Sequence, residues 1–379
     1  MLASLAKSLV NFRGGLLIAL KELGHDVLAC APEHESTILP ALEQLGVAYR
    51  RVPIDRTGLN PWRDLLSFVA LLRLFREEAP DMLLSYTAKP VILGSLAAQR
   101  MGVPRICSII TGLGYGLKPT IGKGRQLRPM LHYLYRGALA SNSMVFFQNR
   151  EDATLFRQSN LLSDTARSVV VNGSGVDIYE FPYVAPASNP PIFLLIARLI
   201  REKGIKEFVE AAIAVKAHHP KVKFQLVGPF ESHPRSLGKS EVAKWINSGV
   251  IEHLGNLSDV RPVLAASSVY VLPSYYGEGI PRSILEALAT GRPIITTDTP
   301  GCRETVLVGV NGFLVPPREI EPLSKAMIRF INEPSLLLTM GKRSRELAET
   351  KYDVRLVNQQ ILEALGLTAS HSAGMALGH

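Results

Sequence analysis

The sequence predicts an α/β protein built from two doubly wound, Rossmann-like domains that face each other across a cleft. The chain has 379 residues, which is too long for one ordinary core and suits two domains. Short apolar runs rich in β-branched residues alternate with longer amphipathic stretches, and this alternation starts again after Pro191. Continuous apolar strands alternating with helices indicate parallel sheets that are buried on both faces.

The first domain is predicted from six strand-like runs, with helical patterns such as Pro61–Glu78 and Arg125–Ala140 between them. The runs are HDVLACAP, VAYRRVPI, DMLLSY, PRICSII, SMVFFQ and SVVV. A doubly wound domain usually opens with a strand that leads into a glycine-bearing loop, but only MLAS precedes LAKSLVNFRGG here. Either the first strand is very short or the chain begins late, and both interpretations stay open.

The second domain repeats the pattern with six more strand-like runs: IFLLIA, VKFQLVG, VIEHLG, VYVLP, PIITT and GFLVP. The stretch FPYVAPASNPP carries four prolines and no periodicity, which is typical of a linker. We therefore predict a first domain over 1–180, a linker over 181–191 and a second domain over 192–350. A helix over 351–366 is expected to pack back toward the first domain, and 367–379 is expected to be a disordered tail.

The charge balance indicates an anionic partner. Lys and Arg number 42 and Asp and Glu 33, a net charge of +9, so nucleic acid, anionic lipid and phosphorylated small molecules all remain open. The three cysteines are far apart, which gives no disulfide framework or zinc spacing and favours a reducing compartment. No uninterrupted apolar run reaches the roughly 18 residues that a membrane span needs.

Two acidic residues mark the first candidate site, in the stretch YYGEGIPRSILEALATGRPII. Glu278 is predicted in a loop, and Glu286 inside a helix that starts near Pro281 and ends at Gly291. Free N–H groups at such a helix start bind anions, and the candidate donors are those of Gly279, Ile280 and Arg282. Taken singly, each acid could also be a solvated surface residue.

Two cations mark a second candidate site, in IARLIREKGIKEFVEA. Arg198 and Lys203 flank a strand-to-helix turn, and Gly204 starts the helix. An arginine fork together with a lysine point charge suits a diphosphate. A solvated basic turn is the alternative interpretation.

These stretches carry a family resemblance. ARLIREKG, LVGP, IEHLGNLSD and PSYYGEGIPRSILEALATGRPIITTDTPGCRETV, followed by GVNGFLVPP, resemble in order and spacing the donor-binding domain of GT-B glycosyltransferases. The first domain agrees through NFRG, YTAKP, TGLGYG and NGSGVD. The combination is most similar to retaining family 4 enzymes of capsule and O-antigen synthesis, which extend a sugar on a polyprenyl diphosphate carrier.

The resemblance implies a role for each matching donor-side position. Glu278 would support the positive charge that develops on the donor sugar, and Glu286 would hold the ribose hydroxyls. Arg198 and Lys203 would neutralise the diphosphate and act with Glu278 in catalysis. The remaining donor contacts implied are Gly14 and Gly15, placed in a first-domain loop, and Gly228, Gly279, Ile280 and Pro281.

The acceptor side departs from the family pattern at one point. Many members have a His-Gly pair where this chain has Thr111-Gly112, so Thr111 or the backbone of Gly112 is expected to serve there. Tyr86 and Lys89 are candidates for binding the acceptor diphosphate, and a surface cation is the alternative for Lys89.

The resemblance also implies retention by front-face displacement, with the leaving phosphate accepting the acceptor's proton. Glycosyl transfer passes through an oxocarbenium-like state, and preorganised cations stabilise the leaving nucleoside diphosphate. No metal or other cofactor is expected, since protein groups do this work and the sequence has no Asp-x-Asp pair. The predicted substrates are a nucleotide sugar, a UDP-sugar by expectation, and a lipid-linked or oligosaccharide acceptor.

The stretch GLKPTIGKGRQLRPMLHYLYRGAL suggests where the enzyme acts. Its basic residues lie among Leu, Met and Tyr, which is typical of a surface resting on anionic lipid. These residues are Lys118, Lys123, Arg125, Arg128 and Arg136. We therefore expect a cytoplasmic enzyme, peripheral at the inner face of the membrane, although a solvated loop and helix would also account for the stretch.

Other functions remain to be weighed. A nucleotide-sugar epimerase could share the fold and the sugar-nucleotide site but would need no lipid-facing basic surface. A nucleic-acid-binding protein is suggested by net charge alone, without any recognised motif, so no nucleic-acid partner is expected. A sugar-binding protein without activity is the third possibility, and the intact acid and cation pairs argue against it.

Overall fold

The computed structural model describes residues 1–33, 38–55, 60–113, 123–162, 166–186, 190–231 and 235–368. The side chains of 123–128 and the last eleven residues of the predicted tail lie outside the described part.

The first domain is a parallel sheet in two hydrogen-bonded pieces, β2-β1 and β3-β4-β5-β6. Leu2 forms parallel bridges to both Cys30 and Ser85, so a very short strand joins the two pieces. The strands are β1 (Leu28–Ala31), β2 (Ala48–Arg51), β3 (Met82–Tyr86), β4 (Arg105–Ile110), β5 (Met144–Phe147) and β6 (Ser168–Val170).

Within the described residues six helices cover this sheet, and local polar residues define where two of them start. The side chain of Asn60 accepts the amide of Trp62, and that of Asn149 accepts the amide of Asp152 at 2.7 Å, which satisfies N–H groups that lack a helical partner. The helices are α1 (Ala6–Glu22), α2 (Leu39–Gln44), α3 (Pro61–Glu78), α4 (Ala88–Arg100), α5 (Lys123–Leu139) and α6 (Arg150–Gln158).

The second domain is one parallel sheet in the order β12-β11-β10-β7-β8-β9. The chain runs outward from β7 in one direction and from β10 in the other, so a crevice opens at the carboxyl ends of these two neighbours. Its strands are β7 (Ile192–Ile196), β8 (Lys223–Val227), β9 (Glu252–His253), β10 (Val269–Leu272), β11 (Ile294–Thr297) and β12 (Gly312–Val315).

The helices of the second domain pack on both faces of its sheet, and two buried clusters result, one around Phe193, Phe208 and Phe224 and one around Tyr270 and Leu288. These helices are α7 (Ile205–Lys216), α8 (Lys239–Asn247), α9 (Arg261–Ala266), α10 (Arg282–Thr290), α11 (Ile320–Asn332) and α12 (Ser335–Leu347). A five-residue π-helical turn, Ala348–Tyr352, then leads into α13 (Val354–Leu365).

Helix α13 returns to the first domain. Val357, Ile361 and Leu365 are buried in the same apolar cluster as Leu9 and Leu17 of α1. Asp353 caps the helix by accepting the amide of Arg355 at 3.0 Å. Helix α13 thus fastens the second domain to the first through apolar burial.

The predicted α/β class with two doubly wound domains is confirmed, and each predicted strand run contains an observed strand. The predicted helix Pro61–Glu78 has these bounds, and the one predicted over Arg125–Ala140 spans Lys123–Leu139. Alternation of apolar strands with amphipathic helices was therefore a sufficient signal for this architecture.

Candidate active site

A cavity of about 400 Å³ lies between the two domains, at the carboxyl ends of the parallel strands. Its size is that of an ordinary small-molecule site, and its position is where doubly wound domains bind ligands. The predicted site residues that line it are Tyr86, Thr111, Arg198, Lys203, Glu278, Ile280, Pro281 and Glu286.

Glu278 lies in the loop between β10 and α10, as its sequence context predicted, and it is held from two sides. Lys203 Nζ donates to Glu278 Oε1 at 2.7 Å, and the hydroxyl of Ser274 donates to the same oxygen at 2.7 Å. Both side chains of the ion pair are only 12% exposed. The carboxylate is thus fixed in orientation at the cavity wall, because a charge-assisted bond and a hydroxyl bond converge on one oxygen.

Glu286 lies one turn into α10 and pairs within its own helix. Arg282 Nε donates to Glu286 Oε1 at 3.0 Å, and another Arg282 nitrogen donates to the carbonyl of Gly175 in the first domain. Burial raises the pKa of the Glu286 carboxyl above its ordinary value, although the Arg282 guanidinium acts in the opposite direction. This largely buried acid therefore lines the cavity beside an arginine that also connects the domains.

Arg198 and Lys203 flank the turn after β7, as predicted, and Gly204 precedes α7. Arg198 Nη1 donates to Glu231 Oε2 at 3.1 Å, and its side chain is 33% exposed toward the cavity. Gly228 follows β8 on the same edge, where its carbonyl bonds His253 Nε2 at 3.1 Å. The cation pair therefore faces the crevice between β7 and β10.

The predicted backbone donors ahead of α10 are engaged by the first domain. The amide of Gly279 donates to the carbonyl of Thr111 at 3.0 Å, and that of Ile280 to Gln148 Oε1 at 3.2 Å. Helix α10 begins at Arg282, with Pro281 before it and Gly291 after it. In the described part of the chain, the amide of Arg282, which was also predicted as a donor, has no backbone acceptor, and neither has that of Ser283.

Gly112 lies at a point where the backbones of the two domains approach closely. Its φ is +123°, and a Cβ built there would lie 2.6 Å from both the carbonyl oxygen of Gly277 and the amide nitrogen of Gly279. Only glycine allows this conformation and this separation. The Thr111-Gly112 pair thus serves as a backbone contact against the Glu278 loop.

The prediction that Gly14 and Gly15 form a loop near the phosphate is wrong. Both lie in the middle of α1. Gly15 faces α13, where a Cβ would lie 3.1 Å from Val354 and from Asn358. The paired glycines suggested a turn, but the apolar face of the surrounding segment packs as a helix, and tertiary burial outweighs the low helix propensity of glycine.

The predicted acceptor residues separate in the structure. Tyr86 lines the cavity, its hydroxyl lies 2.8 Å from Ser8 Oγ, and burial raises the pKa of its phenol to about 12. Lys89 does not line the cavity, because its ammonium donates to Asp64 Oδ1 at 2.5 Å on α3. An ion pair inside the first domain therefore fixes Lys89 away from the predicted acceptor position.

Among the longer polar side chains that line the cavity, sequence reasoning missed those of Arg13 and Gln148, and it predicted Arg282 only for its backbone amide. Arg13 and Arg282 stand inside quoted motifs, NFRG and GIPRS, but neither spacing showed which side chain would turn inward. Gln148 follows β5 directly, and a polar residue at the carboxyl end of a parallel strand is a signal that could have identified it.

A larger groove, of about 890 Å³, lies at the opposite end of the first sheet. It is lined by residues where the strands begin, among them Leu28, Asp81 and Arg105. None of the predicted site residues lines it, so we assign the chemistry to the smaller interdomain cavity.

Residues 180–347 match the family model described as Glycosyl transferases group 1, and residues 13–173 match the Glycosyl transferase 4-like domain. The chain is 28% identical over 369 residues to the N,N'-diacetylbacillosaminyl-diphospho-undecaprenol alpha-1,3-N-acetylgalactosaminyltransferase of Campylobacter jejuni, covering 94% of this chain and 95% of that one. It is 27% identical over 310 residues to the UDP-Gal:alpha-D-GlcNAc-diphosphoundecaprenol alpha-1,3-galactosyltransferase of Escherichia coli, covering 78% and 77%.

Solved structures show the same fold. HepE of Anabaena in complex with UDP-glucose superposes with a TM-score of 0.77 at 21% identity, covering 97% of this chain and 99% of that one. Sucrose-phosphate synthase of Thermosynechococcus elongatus superposes with a TM-score of 0.77 at 18% identity, covering 96% and 97%. At these identities the likeness concerns the arrangement of two domains around a cleft.

Proposed function

We propose that the chain transfers a hexose or N-acetylhexosamine from a UDP-sugar to a polyprenyl-diphosphate-linked glycan, with retention. The premises are that the chain belongs to the group 1 glycosyl transferases and has the GT-B architecture predicted for it. One observation carries the proposal: the acids and cations of two separate motifs meet in one interdomain cavity. An epimerase, a nucleic-acid-binding protein and an inactive sugar-binding protein are correspondingly less well supported.

The leaving diphosphate would be held on the second-domain side of this cavity. Lys203 and Arg198 supply positive charge, and the free amides at the start of α10 add donors at the positive end of a helix. The Glu278 carboxylate is oriented by Lys203, so it can support positive charge that develops on the donor sugar. Glu286 would exchange part of its bonding with Arg282 for the ribose hydroxyls.

The acceptor would approach from the first-domain side, past Tyr86 and Thr111. In relatives whose names state an acceptor, that acceptor is a sugar linked through diphosphate to undecaprenol. A lipid-linked acceptor of the same chemistry suits the basic first domain. We keep metal independence as part of the proposal, with protein cations in the role that a metal ion would otherwise have.

A binding panel tests the donor site. Melting temperatures would be compared with UDP, GDP, ADP and their common sugars, each with and without EDTA. A ligand at 100 times its Kd stabilises by about 2.7 kcal/mol, so binding is readily seen. A shift with uridine nucleotides alone supports the proposal, whereas no shift with any nucleotide, or a shift that EDTA abolishes, would contradict it.

A transfer assay tests the reaction itself. UDP-sugars would be incubated with and without a short polyprenyl diphosphate sugar, and both products and unused donor would be identified. We expect an elongated acceptor with the anomeric configuration of the donor. Conversion of donor alone to another UDP-sugar would instead indicate the epimerase. Glu286→Ala should weaken nucleotide binding, and Arg198→Ala and Lys203→Ala should lower turnover without loss of fold.

Membrane association is proposed from an exposed apolar surface on the first domain. Trp62, Leu65 and Leu66 of α3 are 76%, 50% and 65% exposed, and Met130 and Tyr133 of α5 are 47% and 79% exposed. Arg136 is also exposed, while Lys118 and the side chains of Lys123, Arg125 and Arg128 lie outside the described residues. None of the helices described is long and apolar enough to cross a membrane.

Vesicle sedimentation tests this surface. Aromatic and aliphatic residues beside basic ones bind the interface of anionic bilayers. We expect the wild type to sediment with vesicles containing anionic lipid, and Trp62→Ser combined with Leu66→Ser to remain largely in solution. Leu338→Ser, at a 47% exposed position on the second domain, is the matched control. Equal loss of binding in the control would contradict the assignment of this surface.

A further inference from the structure

Arg13 is a buried cation that lines the interdomain cavity and has no carboxylate partner among the residues that the structure describes. It lies on α1, only 3% exposed, and its guanidinium lies 5.3 Å from the centre of the Tyr86 ring. Its Nε is buried and makes no hydrogen bond. Within the described residues no carboxylate pairs with it, whereas the other cavity cations, Lys203, Arg282 and Arg198, each have one.

A second buried arginine shows what a structural guanidinium looks like in this chain. Arg292 is fully buried and its Nε also lacks a partner, but its two terminal nitrogens donate to the carbonyls of Val184, Ser267 and Thr290. The guanidinium of Arg13 faces the cavity, whereas the guanidinium of Arg292 donates to carbonyl groups. Burial lowers the pKa of Arg13 to about 10, so the side chain still carries its charge at neutral pH. A buried charge without a partner is costly, which indicates that this one is retained for a ligand.

The start of α4 adds a second source of positive potential at the same wall. Thr87 precedes this 13-residue helix, lines the cavity and has a φ of +70°, which is uncommon for a residue other than glycine. Its hydroxyl donates to Ser4 Oγ at 2.9 Å, and Ser8 lines the cavity nearby. A helix start and hydroxyls beside an unpartnered guanidinium form a recognisable setting for a phosphate group.

We propose that Arg13 and the start of α4 bind the diphosphate of the acceptor, in a subsite separate from the one that holds the leaving nucleotide. This inference rests on the proposed function. The choice of acceptor over donor follows from position: Arg198, Lys203 and the start of α10 belong to the second domain, and Arg13 and Thr87 belong to the opposite wall. Each anionic group would then meet the cations of its own wall.

Direct binding tests the subsite without requiring transfer. Farnesyl diphosphate would be titrated into the full chain saturated with UDP, which fills the donor site. We expect the wild type to bind, Arg13→Met to bind at least about 10-fold more weakly, and Arg13→Lys to fall between them. Lys7→Met, an exposed cation on the same helix, should match the wild type. The affinity for UDP should be equal in all four proteins.

Other outcomes would overturn the subsite. Competition between UDP and farnesyl diphosphate, or a loss of UDP affinity in Arg13→Met, would assign Arg13 to the donor's diphosphate. No binding by the wild type would also refute the proposal. Binding that depends on Arg13, in a protein that transfers no sugar, would refute only the proposed function. An unchanged acceptor KM in an active Arg13→Met would refute only the subsite.

Thermal stability separates a ligand-binding role from a structural one. Removing an unpartnered buried charge relieves a cost of folding, so Arg13→Met should melt at a higher temperature than the wild type. A lower melting temperature, with unchanged farnesyl diphosphate affinity, would make Arg13 a structural residue and end the proposal.

Discussion

The two walls of the interdomain cavity neutralise their charges differently. On the second-domain wall, Lys203 pairs with Glu278, and Arg282 with Glu286. On the first-domain wall, Arg13 has no carboxylate within the described residues. The second wall is therefore ordered before a ligand arrives and can exchange partners when it does, while the first wall holds an uncompensated positive charge. This difference suggests that the two walls meet two different anionic groups.

The largest effect is expected from breaking the second wall. Lys203→Met removes the ammonium that orients Glu278 and would neutralise the leaving diphosphate. Loss of one such preorganised group costs about 10²–10³-fold in rate, and we expect kcat/KM to fall by about 10³-fold because two functions are lost together. Steady-state kinetics on the full chain measures this. Lys206→Met is the control, since its ammonium is 57% exposed and pairs with Glu210 on the outside of α7. A loss below tenfold in Lys203→Met would contradict the assigned role.

Arg292, the structural arginine, allows a paired guanidinium group to be compared with the unpaired one of Arg13. Arg292→Met leaves the carbonyls of Val184, Ser267 and Thr290 buried without donors, and should lower the free energy of unfolding by about 3 kcal/mol. Urea unfolding measures it. Arg343→Met, at a 60% exposed position, should change the same quantity by less than about 0.5 kcal/mol. If Arg292→Met and Arg13→Met shifted stability in the same direction, the contrast between paired and unpaired guanidinium groups would fail.

The distance between the walls is set by Gly112. In Gly112→Ala, the new methyl group would collide with Gly277 and Gly279, so the domains must separate. We expect kcat/KM to fall by about 30-fold, because a displacement of the order of 1 Å misaligns the reacting groups. Gly102→Ala is the control: it also has a positive φ, of +71°, but a Cβ there meets nothing within 4 Å. Equal losses of activity would show that backbone strain, and not separation of the walls, is the cause.

The second wall could be predicted from the sequence to a large extent, and the first wall much less. Glu278, Glu286 and the start of α10 fall within one short stretch, so strand, loop and helix signals place them on one edge. The first wall contains Arg13, Thr87 and Gln148, which come from three segments that are far apart in the sequence. No local sequence pattern indicates that these residues meet. The fold itself was predictable because each of the twelve apolar runs indicates a strand by its own local sequence pattern.

The errors have the same physical origin. The glycines at 14 and 15 suggest a loop when considered alone, but packing against α13 holds the segment as a helix. Lys89 pairs with Asp64, 25 residues earlier in the chain, and this pairing could not be anticipated without the fold. The amides of Gly279 and Ile280 were expected to be free, but the first domain supplies their acceptors. In each case a contact between distant segments decided which local possibility was realised.

The smallest expected effect is a pH dependence of the protein's stability, which is caused by Glu286 on the second wall. Burial raises the pKa of Glu286 in the folded state above its value in the unfolded chain. Between those two values the folded state binds more protons, so this group's contribution to stability falls as pH rises through the window and is unfavourable above it. Glu286→Gln should therefore melt about 2 °C higher than the wild type at pH 7, and the gap should close as pH falls toward the ordinary carboxyl range. Melting curves from pH 4 to 8 measure this, and UDP affinity should fall about tenfold in the same variant. A gap that widens at low pH would show that the ion pair with Arg282 outweighs desolvation, which would make this wall a net source of stability in the absence of ligand.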